Sequence, residues 1–188
     1  MLELDRPEEA EAPAREAADF LRVGGNWSPF PGAAFGPLAE TVVRLGTPDA
    51  EHILAEGEQQ VEASEQHLGR PPLLRARGLL LWGRGQVEAA REALHASAAV
   101  ARSQHAEMQL GRTLAVLTEL ARQSGDEPLA AEADAERSAL VAHIGPEVGG
   151  LIWAQGLLGR AHGISPPQRA VAGHDAGLLS PRERRSWC

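Results

Sequence analysis

Apolar residues recur along the chain at spacings of three and four, the period of an amphipathic helix, in runs separated by glycine turns. The first run, residues 8–22, is Ala-rich and acidic, with Ala14, Ala17, Ala18 and Leu21 on one side. A breaker-dense loop follows at 23–32, where Trp27 and Phe30 are expected to pin it to the helices. Phe35, Leu38, Val42 and Leu45 then recur at helical spacing, and Ala50, Ile53, Leu54, Gly57, Val61, Ser64 and Leu68 trace one long face. Leu74, Gly78 and Leu81 are set to face Val87, Ala90, Leu94 and Ala98 across a turn at Gly85. Leu110, Leu114, Leu117 and Ala121 are set to face Ala130, Ala133, Arg137 and Leu140 across a turn at Gly125. A last stripe, Val148, Leu151, Ile152, Gln155 and Leu158, predicts a capping helix over 147–161.

The turns themselves repeat. Gly46 to Gly85 is 39 residues and Gly85 to Gly125 is 40. A fixed period of this length marks stacked supersecondary units, each too small to bury its own apolar face. Glycine accepts the left-handed conformation that ends a helix. Pro48 and Pro128 suit the start of the next helix, and Asp49, Glu51, Asp126 and Glu127 lie where negative charge meets its positive dipole end. The pattern predicts an all-α fold, a stack of antiparallel helical hairpins forming an α-solenoid. Composition agrees: 33 Ala and 24 Leu stand against 10 Val and 4 Ile, with no Tyr, a balance that favours helix over strand.

The segment Leu73 to Ala101 resembles a tetratricopeptide hairpin. Gly78 and Leu81 match positions of its first helix, Ala90 and Leu94 those of its second, and Gly85-Gln86-Val87-Glu88 its turn. It departs from that family in having Arg77 where Leu is usual, a longer period and no closing Pro. The tail Leu179-Ser180-Pro181-Arg182-Glu183-Arg184 is similar to the opening of the LuxR-type DNA-binding domain. In large LuxR-family ATPase regulators, tetratricopeptide-like repeats precede a linker and that terminal helix-turn-helix. The resemblance implies three parts: an acidic helix and loop over 1–33, repeats over 34–162, and a linker with the start motif over 163–188. Only four residues follow the motif, and without Lys there is no P-loop. On this resemblance the chain is a piece of a regulator that keeps its interaction module.

Charge bears on partners. Of the 26 acidic residues, 14 precede residue 70, against 4 Arg there; all 18 basic residues are Arg. An acidic first third repels phosphate backbones, so DNA is disfavoured as a partner of this chain alone. The single Cys188 excludes an internal disulfide and a cysteine-rich zinc site. No run of 18 apolar residues occurs, and the acidic start does not read as a signal peptide. The expectation is a cytoplasmic protein with no membrane contact.

Candidate chemistry is sparse. His52, His67, His95, His105, His143, His162 and His174 never fall three or four apart, so no metal site is expected. Glu58/Glu62 and Glu132/Glu136 are spaced four apart but read as solvated helix faces rather than acid–base pairs. No catalytic residue and no cofactor is expected. Trp82 and Trp153 follow apolar runs and suit core packing, and Arg70, Arg75, Arg77, Arg84 and Arg91 could grip an acidic peptide or serve as ion-pair partners. The reading is a non-catalytic protein- or peptide-binding module. Its partner would lie along the groove of the first helices, where Arg75, Trp82 and Arg112 supply anchors of the types enriched at interfaces. Self-association through exposed stack ends is a further expectation. A DNA-binding regulator and an enzyme with an unrecognised site remain as alternatives.

Overall fold

The structure is a computed structural model and describes residues 6–24, 31–64 and 69–144. Among them are seven helices and no strand: α1 (Pro7–Gly24), α2 (Pro31–Leu45), α3 (Ala50–Ala63), α4 (Arg70–Gly83), α5 (Val87–Ser103), α6 (Glu107–Ser124) and α7 (Glu127–Ile144). The all-α expectation holds. Trp27, Phe30, Leu68, the helix expected over 147–161 and the tail from 163 to 188 lie outside the described residues.

The three glycine turns form as the spacing predicts. Gly46, Gly85 and Gly125 have φ of 65°, 74° and 78°, the left-handed region that a β-carbon disfavours. At each, the glycine N–H and the next N–H reach back to two carbonyls of the finished helix. Gly85 donates to Trp82 O at 2.8 Å and Gln86 to Leu81 O at 3.0 Å, and Gly125 and Asp126 do the same to Arg122 and Ala121. This is the Schellman ending, which satisfies orphan carbonyls. A fourth turn of the same kind joins α5 to α6: His105 takes φ 53° and its neighbour Ala106 donates to Ala101 O at 2.9 Å. Asp126 then caps α7 through its side chain, accepting Leu129 N–H at 3.2 Å.

Two boundaries differ from the sequence reading. Helix α2 starts at Pro31, earlier than residue 34, because proline at a first helical position gives up no hydrogen bond. Helix α3 stops at Ala63 although its apolar face continues, and the Ser64 hydroxyl donates to Val61 O at 3.0 Å in the last turn.

Packing follows the apolar stripes. Helix α4 lies beside both α2 and α6; α3 packs on α2 and α4, α5 on α4 and α6, α7 on α6, and α1 on α2. Phe35, Leu38, Val42, Ile53, Leu54 and Leu73 anchor one apolar core, and Leu79, Trp82, Leu94, Leu114, Leu117 and Leu120 the other. Helix α4 feeds both, and Val43 packs against both. Gly78 sets the α4–α5 approach, since a β-carbon there would sit 2.8 Å from Leu94 Cγ. On the outside, Arg15 bonds Asp49 at 2.8 Å and Arg102 bonds Glu136 at 2.6 Å, joining helices that are not consecutive. No described helix is long and apolar enough to cross a membrane.

Candidate binding face

The three residues expected to anchor a partner do not share one surface. Arg75 is fully buried in the middle of α4. Its Nη2 donates to Glu40 Oε2 at 2.6 Å and its Nε to the same oxygen at 3.2 Å. Its Nη1 donates to Gln109 Oε1 at 3.1 Å and approaches Thr113 Oγ1 at 3.4 Å. Trp82 is buried in the core that contains Leu79 and Leu94. Both are therefore corrected from groove anchors to interior residues: Glu40 on α2 supplies the charge that lets Arg75 be buried, and the Trp82 indole fills space between helices. Arg112, on α6, keeps 9% of its surface.

Glu40 is the centre of this cluster. It is almost wholly buried, takes Arg75 on one side and is paired with Arg44 at 2.9 Å. Burial pushes its carboxyl up, but Arg75, Arg44 and Arg112 outweigh that and hold it at about 2. Burial pulls the Arg75 guanidinium below its ordinary value, and Glu40 opposes the pull. An arginine stays charged under such a shift, so the pair is ionised throughout the physiological range. Ser97 on α5 completes the network by donating to Pro71 O at 2.8 Å and lying 2.8 Å from Thr113 Oγ1. Held at about 2, Glu40 has no proton to give near neutrality and is a feeble base, so its chemistry is structural.

The other candidates disperse. The five-arginine group does not line one face: Arg84 pairs with Glu51 at 2.7 Å, Arg77 with Glu58, and Arg91 with Asp126 at 3.2 Å. Glu88 meets Arg91 at 3.7 Å while Arg84 turns to α3. Glu58 and Glu136 each hold an arginine of another helix, so neither i, i+4 carboxylate pair forms a dyad. Arg70 lines a cavity of about 170 Å³ with Glu58, Val61, Glu62, Leu73 and Leu74. No cluster of three metal-ligating side chains occurs among the described residues. His143 lies 3.9 Å from Glu107. Trp153 and the motif Leu179 to Arg184 lie outside the described residues.

Sequence reasoning missed Glu40, Arg44, Gln109, Thr113 and Ser97. One signal was available. Glu40, Arg75 and Gln109 are separated by 35 and 34 residues, a near-regular spacing of polar residues on α2, α4 and α6. The chain was compared with protein-family models, with curated proteins and with solved structures, and nothing matched.

Proposed function

We propose that the chain is a non-catalytic helical-repeat module of tetratricopeptide-like type that binds a protein or peptide partner, within a transcriptional regulator of the LuxR ATPase class. The observation that carries the binding reading is the side-by-side placement of α2, α4 and α6, with α3, α5 and α7 packed against them as second helices. In such a stack the first helices form the shared face on which an extended partner lies. Here the buried Glu40–Arg75 pair, with Arg44 against Glu40, ties the first helices together beneath that face. The LuxR assignment rests on the motif Leu179 to Arg184 and its place after repeats and linker. Self-association through the ends of the stack belongs to the same reading.

The binding reading is tested by selecting peptides from a random library against the whole chain and mapping the winners by amide NMR shifts. Shifts concentrated on α2, α4 and α6 are expected. Shifts confined to α3, α5 and α7, or no peptide selected above background, would overturn it. The reading frames flanking the gene test the family assignment: an ATPase before and a helix-turn-helix after are expected, and neither being encoded would remove it.

A further inference from the structure

The largest exposed apolar side chains among the described residues are Val23 at 89% and Phe20 at 77%, both on α1. They belong to a stripe. Pro13, Ala17 and Phe20 follow one another at four and three residues, all exposed, and Val23 continues the line. Helix α1 carries five carboxylates, Glu8, Glu9, Glu11, Glu16 and Asp19, against two arginines. Both arginines are drawn toward α3: Arg15 bonds Asp49 at 2.8 Å, and Arg22 bonds Glu56 at 2.7 Å while lying over the Phe35 ring. Glu8 and Glu16 are left exposed with no cation beside them among the described residues. The outer side of α1 is thus an apolar strip with an acidic rim, on a helix whose inner side is spent on Ala18 and its neighbours.

An apolar strip with a negative border selects an occupant with apolar side chains and positive charge. A second copy of α1 fails this test, because its rim repeats the same sign. Outside the described helices, the most basic short segment that also carries large apolar side chains is the last one. Residues 178–188 carry Leu178, Leu179 and Trp187 together with Arg182, Arg184 and Arg185 against a single Glu183. The 33 residues between Ile144 and Leu178 span up to about 110 Å when extended, so every part of a seven-helix domain is within reach. A tether of that kind supplies an effective concentration high enough to populate a contact that would be weak between separate molecules.

We propose that the outer face of α1, centred on Ala17, Phe20 and Val23, is the docking site for the chain's own basic segment 178–188. The arginines meet Glu8 and Glu16, and the leucines and Trp187 cover Phe20 and Val23. The contact is intramolecular, salt-sensitive, and independent of the peptide-binding reading of the α2–α4–α6 side.

Cys188 is the only cysteine and adjoins Trp187, so a nitroxide label attached to it reports where the segment goes in the otherwise native chain. Amide NMR of the labelled protein is expected to lose most intensity along α1 from Ala14 to Val23, and to keep it on α5 and α7. The loss should shrink at about 0.5 M salt, where the Debye length falls to a few ångströms. It should vanish in F20S/V23S and in R182E/R184E/R185E. Phe20 and Val23 are exposed, and unchanged circular dichroism would show that the first variant retains its fold; the charge reversals provide an independent route. Broadening centred on another element, or surviving both variants, would overturn the proposal. So would broadening seen only between molecules when spin-labelled and isotope-labelled proteins are mixed, which would assign the face to a second copy.

Discussion

Replacing Glu40 by Gln tests whether the buried cluster is the electrostatic centre of the fold. The side chain keeps its shape and one acceptor oxygen but loses its charge. Arg75 would then lie fully buried, with Arg44 and Arg112 as like-charged neighbours and only the neutral Gln109 and Thr113 as partners. Breaking a buried pair by removing one partner costs about 3–5 kcal/mol. A domain of this size is stable by about 5–15 kcal/mol, so E40Q should lose about a fifth of its stability or more. Urea unfolding followed by circular dichroism should show a lower midpoint at unchanged slope. The double variant E40L/R75M removes both buried charges and should recover most of the loss, giving a coupling energy of at least about 2 kcal/mol. An E40Q cost below about 1 kcal/mol, the value of an exposed pair, would refute the reasoning. So would a coupling near zero, which would mean that water or a counter-ion reaches the site.

Other consequences follow from the same contacts. Because Glu40 titrates at about 2 in the folded chain against 4.5 as its ordinary value, the unfolded chain binds more protons between those values; this contribution is full above about pH 5 and is lost as pH falls through about 2. Urea midpoints between pH 6 and 2.5 should therefore fall more steeply for the wild-type chain than for E40Q, and parallel curves would sink the assignment. His105→Gly removes a β-carbon from a left-handed turn residue and should stabilise by about 0.5–1 kcal/mol; a loss of stability would show that the imidazole makes a contact that matters. Gly78→Ala places a β-carbon 2.8 Å from Leu94 Cγ and 3.3 Å from Ala90 O, and should cost about 1–3 kcal/mol through overpacking despite alanine's better helix propensity. A thermal melt at or above the wild-type value would mean that α4 and α5 can part without penalty.

The glycine turns were legible because their cause is local. A left-handed residue after a helix needs no information beyond itself and the preceding turn, and Gly46, Gly85 and Gly125 all behave accordingly. The turn at His105 escaped notice for the same reason in reverse: it makes the same backbone bonds without the residue that announces them. The buried polar cluster was hidden because it is not local. Arg75 resembles any helical arginine until Glu40 is placed against it from another helix, 35 residues earlier. Ser97 likewise reads as a small exposed residue until Pro71 and Thr113 close on it. A helical period places a residue on a face; it does not say whether charge on that face will be solvated or matched.

Arg137 shows how such a mismatch can carry information. Counting by the 40 residues that separate Gly85 from Gly125, Leu94, Ser97 and Ala98 of α5 correspond to Asp134, Arg137 and Ser138 of α7. The α5 residues are buried, and they lie on the helix against which α6 packs. Their counterparts on α7 form an ion pair at 2.7 Å, with Arg122 a further 3.7 Å from Asp134, and Ser138 is exposed. Meanwhile Ala130 and Ala133 are buried on the helix that packs on α6. Arg137 keeps 14% of its side chain exposed and Asp134 35%, so α7 holds a partly buried ion pair where α5 holds small and apolar residues, and removing either partner would leave the other partly desolvated. The two hairpins match in their glycine turns and differ on this face, and Arg137, which looks misplaced in an apolar stripe, is accounted for by its pairing with Asp134.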